Sequence, residues 1–487
     1  MPTEEHIAHL LRRFGLGAGR YELKRYAGKD YIGVVDALLN ESKVDERFPV
    51  DLWEFAAQDD GKIETNSYIV AGWWALRLLM TRRPLQEKLT IFWHDHFALS
   101  AEKVYEAPTM TGYLEVLRQY GQGKFKDLLR ETLKQGAMLT YLDGHTSNRV
   151  LPNENLARET LELFTLGEGN YSERDVKELS RALTGWSMHY LGLGLEEPYE
   201  VTAKRARDNR MALSNFCFVP ALHDDGEKTI LGRTARFTGD SAIEYIAGLP
   251  QTARYICTKL WHFYGSPNPN PQLVDKLVRV WMKTDGRISS VLREIALSKE
   301  FLSSSVIRQM PKSPADWTLA IYRSLDLTEI LIALRGQPKG PLAPVRKELR
   351  EAGGGLHYLM ARQGLSLLYP PDVSGWQWGP AWISTDNTVR RIQTADALFW
   401  GGGEDRPMSM LVVTKLKTED KVSDGVGIVK GLAQILDLDL SPDLLGPLAL
   451  IADQAGGIKA LSQPNSAAGL LAKVSKAMFA IPESQLC

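Results

Sequence analysis

Apolar residues return every three or four positions along almost the whole chain, and this period leaves room for little besides helices. Residues 66–82 carry Ile69, Trp73, Leu76 and Met80 on one side. Pro84 sits where a new helix begins, and that helix runs through Glu87, Phe92, Trp93 and His96. The same pattern predicts helices over 4–14, 110–119, 125–134, after Pro152, 240–247, 253–264, 271–282 and 288–297. Two or three more fit between 311 and 363. Ser172 with Asp175 three residues on reads as a capping box. Val176, Leu179, Leu183 and Trp186 then form one buried stripe.

Two stretches break the period. Residues 190–240 are rich in Gly, Asn and Asp, and Phe216 and Phe218 alternate with small residues. A short hairpin fits there. Around 369–376 two prolines and a glycine keep the chain irregular. The expected fold is therefore mainly α, a large multi-helix domain with a small β-hairpin excursion near residues 214–240. Residues 1–403 read as the core domain. Gly402 and Gly403 read as a linker, and 404–487 as a helical C-terminal segment packed back on the core.

Lys plus Arg number 58 and Asp plus Glu 59, so a dedicated nucleic-acid partner is not expected. Three scattered Cys make neither a disulfide framework nor a zinc knuckle. No apolar run of about 18 residues predicts a membrane span. The first residues lack a basic stretch and an apolar run, which places the chain, read as given, in the cytoplasm. A piece of an exported chain would instead lie outside it or in the periplasm. A phosphate loop, a nucleophile elbow and a zincin helix are all missing, so no nucleotide cofactor is expected.

The densest chemistry lies at 153–167. At 100° per residue, Glu154, Arg158, Glu162 and Thr165 fall within about 80° of one another, with Asn155 and Glu159 just beyond. Two readings stay open. Glu154 with Arg158 and Arg158 with Glu162 fit the spacing of ion pairs on an exposed helix. Alternatively, Arg158 holds one acid ionised in a buried network while Glu159 or Glu162 is free for acid/base work. In that network, loss of Arg158 is expected to be strongly destabilising. Asp143, Glu154 and Asn155 are hard oxygen donors near a helix start, an expected site for a divalent cation, with Ca²⁺ or Mg²⁺ favoured. Turn formation and N-capping explain the same residues.

Further candidates are His94 and His96. His96 shares a face with Leu85, Leu89 and Phe92, so it is expected to point inward toward the 153–166 helix. His94 lies on another face, because i, i+2 side chains diverge. His223 and Asp224 sit in an irregular loop with Lys228, where charge suits function or a solvated turn. Trp376 and Trp378 suit either a sugar-stacking groove or a buried plug.

These blocks together resemble a large bacterial family of unknown function, catalogued as domain of unknown function 1800. The resemblance rests on Asn153-Glu154-Asn155-Leu156-Ala157-Arg158-Glu159, Tyr171-Ser172-Glu173-Arg174-Asp175-Val176 and Ala182-Leu183-Thr184-Gly185-Trp186. His9 to Gly15 resembles the family's opening. Phe92-Trp93-His94-Asp95-His96-Phe97 resembles its tryptophan–histidine block, with Asp95 where Asn is common. His223-Asp224 with Lys228, and Pro370-Pro371-Asp372-Val373-Ser374-Gly375-Trp376, resemble two later blocks. The resemblance implies no general activity. It does imply a link to exported, sulfatase-like partner proteins and to polymers such as polysaccharides.

The expectation is a hydrolase-type enzyme. Glu162 or Glu159 acts as acid or base, Arg158 tunes it, and His94, His96, His223 and Asp224 face it across a cleft. Trp186, Lys228, Trp376 and Trp378 bind substrate. The alternative is a non-catalytic scaffold that grips a polymer or a protein.

Overall fold

The computed structural model describes residues 2–46, 48, 50–58, 62–64, 66–190, 214–336, 344–401 and 403–487. It is mostly helical (63%), with 24 α-helices and two small two-stranded antiparallel sheets among the described residues. The apolar period places the elements within a few residues. Ser67–Met80 begins after Asn66, whose side chain accepts from the Tyr68 N–H. Pro84–His96 opens on its proline. Glu154–Leu161 follows Asn153, which accepts from the Asn155 N–H. Glu173–Leu183 starts with the expected reciprocal box between Ser172 and Asp175.

The β excursion is larger than one hairpin. β1 (Trp186–Tyr190) pairs with β2 (Ser214–Phe218), with Trp186 opposite Phe218. β3 (Lys228–Ile230) pairs with β4 (Arg233–Ala235). The first strand therefore precedes the expected window. Trp186 is buried like the rest of its stripe, but it belongs to a strand and not to the helix. Gly185 makes the change of direction. Its φ is +81°, and a Cβ there would come within 2.9 Å of the Val219 carbonyl oxygen. Residues 191–213 of the excursion, and Gly402 of the expected linker, lie outside the described residues.

One apolar core runs from the first helix to the last long one. Thr385–Trp400 packs on Pro464–Ala480, and the Trp317 ring meets Phe479 edge-on at 5.0 Å. Polar ties join distant segments as well. Buried Arg12 forms a two-pronged bond to Asp437, at 2.7 and 2.8 Å. Arg13 donates to the carbonyls of Phe263, Tyr264 and Gly265, which closes the C-terminal end of Pro250–Tyr264. The two arginines of the opening motif are thus structural bolts. Among the described residues no helix is long and apolar enough to cross a membrane.

Candidate functional site

The helix Pro84–His96 is buried along nearly its whole length. At its start, Glu87 is sealed from water and accepts from Trp74 Nε1, Arg77 Nε and Arg118 Nε at 2.8–2.9 Å. Burial favours its neutral form, but the two arginines outweigh burial and lower its pKa to about 2.

At its end, His94, Asp95 and His96 are 0%, 4% and 1% exposed. The Tyr113 hydroxyl donates to the Phe97 carbonyl at 2.9 Å, so its oxygen accepts from His94 Nδ1 at 3.2 Å. Burial alone lowers the His94 pKa to about 3. His96 points inward as expected, but its partner is a backbone carbonyl: Nε2 donates to Phe164 O at 3.1 Å. Burial, helped by Lys259, holds it well below its ordinary value. Both rings are therefore neutral, and each keeps one buried nitrogen without a partner among the described residues.

Asp95 is the centre of the block. Its Oδ1 accepts from the Trp376 N–H and its Oδ2 from Trp378 Nε1, both at 2.7 Å. The late proline–tryptophan segment thus closes onto the histidine helix. Gly375 lets it approach: its φ is +86°, and a Cβ would come within 2.5 Å of the Asp95 carbonyl oxygen. Burial raises the Asp95 pKa to about 6, against Lys259 and the two tryptophan donors.

The 153–167 segment is not one regular helix. After Leu161 it widens into a π turn over Glu162–Leu166. Thr165 Oγ1 donates five residues back, to Thr160 O at 2.6 Å. The extra residue per turn rotates Thr165 into the core, off the polar face that a regular wheel assigns it. The turn also frees carbonyls for outside donors. Phe164 O takes His96, Leu163 O takes Tyr255 Oη at 3.1 Å, and Leu166 O takes Gln251 Nε2 at 2.9 Å.

Glu159 and Glu162 stay half-buried beside this turn. Burial, and then the charge of Glu162, raise the Glu159 pKa, with Arg158 opposing. Glu162 accepts a short bond from the Tyr171 hydroxyl. That bond, added to burial, raises the Tyr171 pKa to about 12. Arg158 does not sit between two acids in a buried network. It makes a two-pronged bond to Glu173, at 2.7 and 2.8 Å, on the next helix and in water. Its Glu154 contact is looser, at 3.5 Å. The expectation of a strongly destabilising Arg158 loss is corrected on that ground.

Sequence reasoning missed Lys259 and Tyr255, both on Pro250–Tyr264. Lys259 Nζ lies 5.6 Å from the centre of the Tyr255 ring. Burial lowers its pKa, against Asp95. Tyr255 joins the parts, because its hydroxyl reaches Leu163 O beside Glu162 and its ring lies under Lys259. The one signal was a lysine on an otherwise apolar stripe with Ile256, Leu260 and Phe263.

The other expected residues lie in separate settings. His223 Nδ1 donates to Thr184 O at 2.8 Å. Asp224 takes Arg181 Nε at 2.8 Å, and that arginine lowers its pKa. Lys228 is buried and donates to the carbonyls of Asp224 and Gly226. These bonds fasten the loop to Glu173–Leu183. Trp186 is 2% exposed and packs edge-on to Phe216.

The divalent-cation expectation is overturned. Among the described residues no three His, Cys, Asp or Glu side chains converge to hold a metal ion. Asp143 is paired with Lys103 Nζ at 2.8 Å, and Glu154 leans on Arg158. Asn155 is exposed, with its N–H capped by Asn153. The oxygens are spent on turn and cap geometry.

The chain belongs to the family described as protein of unknown function (DUF1800), whose model matches residues 9–485. No curated protein and no solved structure matches it.

Proposed function

We propose that the protein is a hydrolase-type enzyme acting on a polysaccharide or another polymer, with Glu159 as proton donor and Glu162 as its base partner. One observation carries this reading. Glu159 is half-buried one turn from Glu162, and its pKa is raised by burial and by that neighbour. Two adjacent carboxylates with unlike environments divide into an acid and a base. Glu159 would protonate the leaving oxygen as the bond to it breaks. Glu162, oriented by Tyr171, would take a proton from the attacking water. Arg158 would limit the rise in the Glu159 pKa.

The test is a panel of neutral, acidic and basic polysaccharides and peptides, incubated with wild type, Glu159→Gln and Glu162→Gln. The expected result is cleavage by wild type and about a hundredfold loss or more in each variant, at unchanged melting temperature. Cleavage within twofold of wild type in both variants would overturn it.

A second reading is a scaffold that grips a polymer or a sulfatase-like partner outside the cell. The commitment of His94, His96, Trp376 and Trp378 to internal contacts favours it. So does the exposure of Val150 (86%) and Leu151 (74%) at the turn before the 154–161 helix. Binding of a panel member without cleavage would support it.

A further inference from the structure

Lysines on the inner face of a helix bring a cost that something must offset. An ammonium has three donors and is strongly hydrated, so a half-buried one normally finds a carboxylate or carbonyl. Other half-buried or buried lysines here do so. Lys88 pairs with Asp316, Lys228 bonds two loop carbonyls, and Lys312 donates to Ser484 O at 3.2 Å.

Lys259 does not. Among the described residues it makes no hydrogen bond and no ion pair within 4.0 Å, and it lies 5.6 Å from the centre of the Tyr255 ring. Its side chain is half-buried. The nearest acid, Asp95, already has one bond on each oxygen, from Trp376 and Trp378. The flanking walls are aromatic. Phe263, one turn on from Lys259, meets Trp378 edge-on at 4.7 Å. The neighbouring His96 is neutral and spends Nε2 on Phe164 O, so it offers Lys259 no counter-charge. The result is a half-buried cation beside aromatic rings, with no bonded partner for its donors among the described residues.

We propose that Lys259 is the anchor for an oxyanion group (a carboxylate, sulfate or phosphate) on a molecule that enters beside Tyr255 and Trp378. Lysine binds such groups as a point charge, without demanding the planar fork of arginine. The low local polarity strengthens the pairing, and the aromatic walls would pack on the carrier of the charge. The inference stands apart from the acid/base reading, because it needs no chemistry at Glu159 or Glu162.

The test titrates sulfate, phosphate and glucuronate separately into the full chain, with chloride balancing ionic strength, and follows the melting temperature. The proteins are wild type, Lys259→Met, Lys259→Arg and Lys473→Met, the last an exposed lysine as control. At least one oxyanion should stabilise wild type saturably. Lys473→Met should match it, Lys259→Arg should keep most of the response, and Lys259→Met should bind about tenfold more weakly or worse. Should Lys259→Met fail to fold, the shift of the lysine ε-carbon signal in wild-type protein on adding each anion gives the same answer. An unchanged response in Lys259→Met, or no saturable response to any of the three in wild type, would overturn the proposal. So would capture of an aldehyde at Lys259 by borohydride without any oxyanion response, which would assign the amine to covalent chemistry.

Discussion

His94, Asp95 and His96 close their helix at 0%, 4% and 1% exposure, while Glu154, Arg158, Glu159 and Glu162 lie half-buried along theirs. Both segments are rich in chemistry when read as sequence. They differ in where their partners come from. The histidine block takes its partners, Tyr113, Phe164, Trp376 and Trp378, from three other parts of the chain. The carboxylate face finds its partners in its immediate successors, Arg158 in Glu173 and Glu162 in Tyr171. Polar residues buried on long-range partners hold a fold together, whereas residues that pair locally at a rim stay free to meet a ligand. On the proposed reading, the histidine helix is the support, and the Glu159–Glu162 rim, with Lys259 beyond Tyr255, is the working face.

The comparison breaks first at Glu87. Glu87→Ala would strand Arg77 and Arg118 in the interior and should cost about 3–5 kcal/mol in urea denaturation. A midpoint near that of wild type would remove the buried network from the support.

Acid sharpens the contrast next. The His94 pKa is lowered from 6.5 to about 3 in the folded protein. The folded state thus binds fewer protons than the unfolded state between those values. Its contribution is complete above pH 6.5 and is lost as pH falls toward 3, by up to about 1.4 kcal/mol per pH unit. His96 acts in the same direction. Asp95, raised to about 6, works in the opposite sense: its contribution is complete below about 3.8 and is lost as pH rises through 6. The difference in urea midpoint between pH 7 and pH 4.5 should therefore narrow in His94→Phe. An unchanged difference would mean that His94 is not buried in its neutral form.

The smallest effect belongs to the open rim. Arg158→Ala should unfold within error of the wild-type urea midpoint, because its main bond, to Glu173, lies in water. A large drop would return Arg158 to a buried network and erase the distinction between the two helices.

Much of the fold was legible because helices announce themselves locally. The apolar period, Pro84 at a helix start and the Ser172–Asp175 box need no distant information. The strand at Trp186 was not legible, because a stripe at helical spacing continues through Gly185 and only its left-handed φ breaks it. The site was read in pieces. Glu159 and Glu162 stand out by spacing, and the inward turn of His96 follows from its apolar face. The role of Asp95 was hidden, since its partners lie 281 and 283 residues away. The π turn was hidden too, so Thr165 was placed on the wrong face. The oxygen donors at 143–155 misled because caps and turns use the same residue types as Ca²⁺ sites.

The central claim is that burial and the neighbouring charge of Glu162 raise the Glu159 pKa at the rim. Carbon-13 NMR of glutamate carboxyls across pH 3–8, in wild type and in Glu162→Gln, tests it most directly. The account predicts that Glu159 titrates above the ordinary glutamate value in wild type and moves down when the neighbouring charge is removed. A Glu159 that titrates at the ordinary value, unmoved by Glu162→Gln, would contradict it.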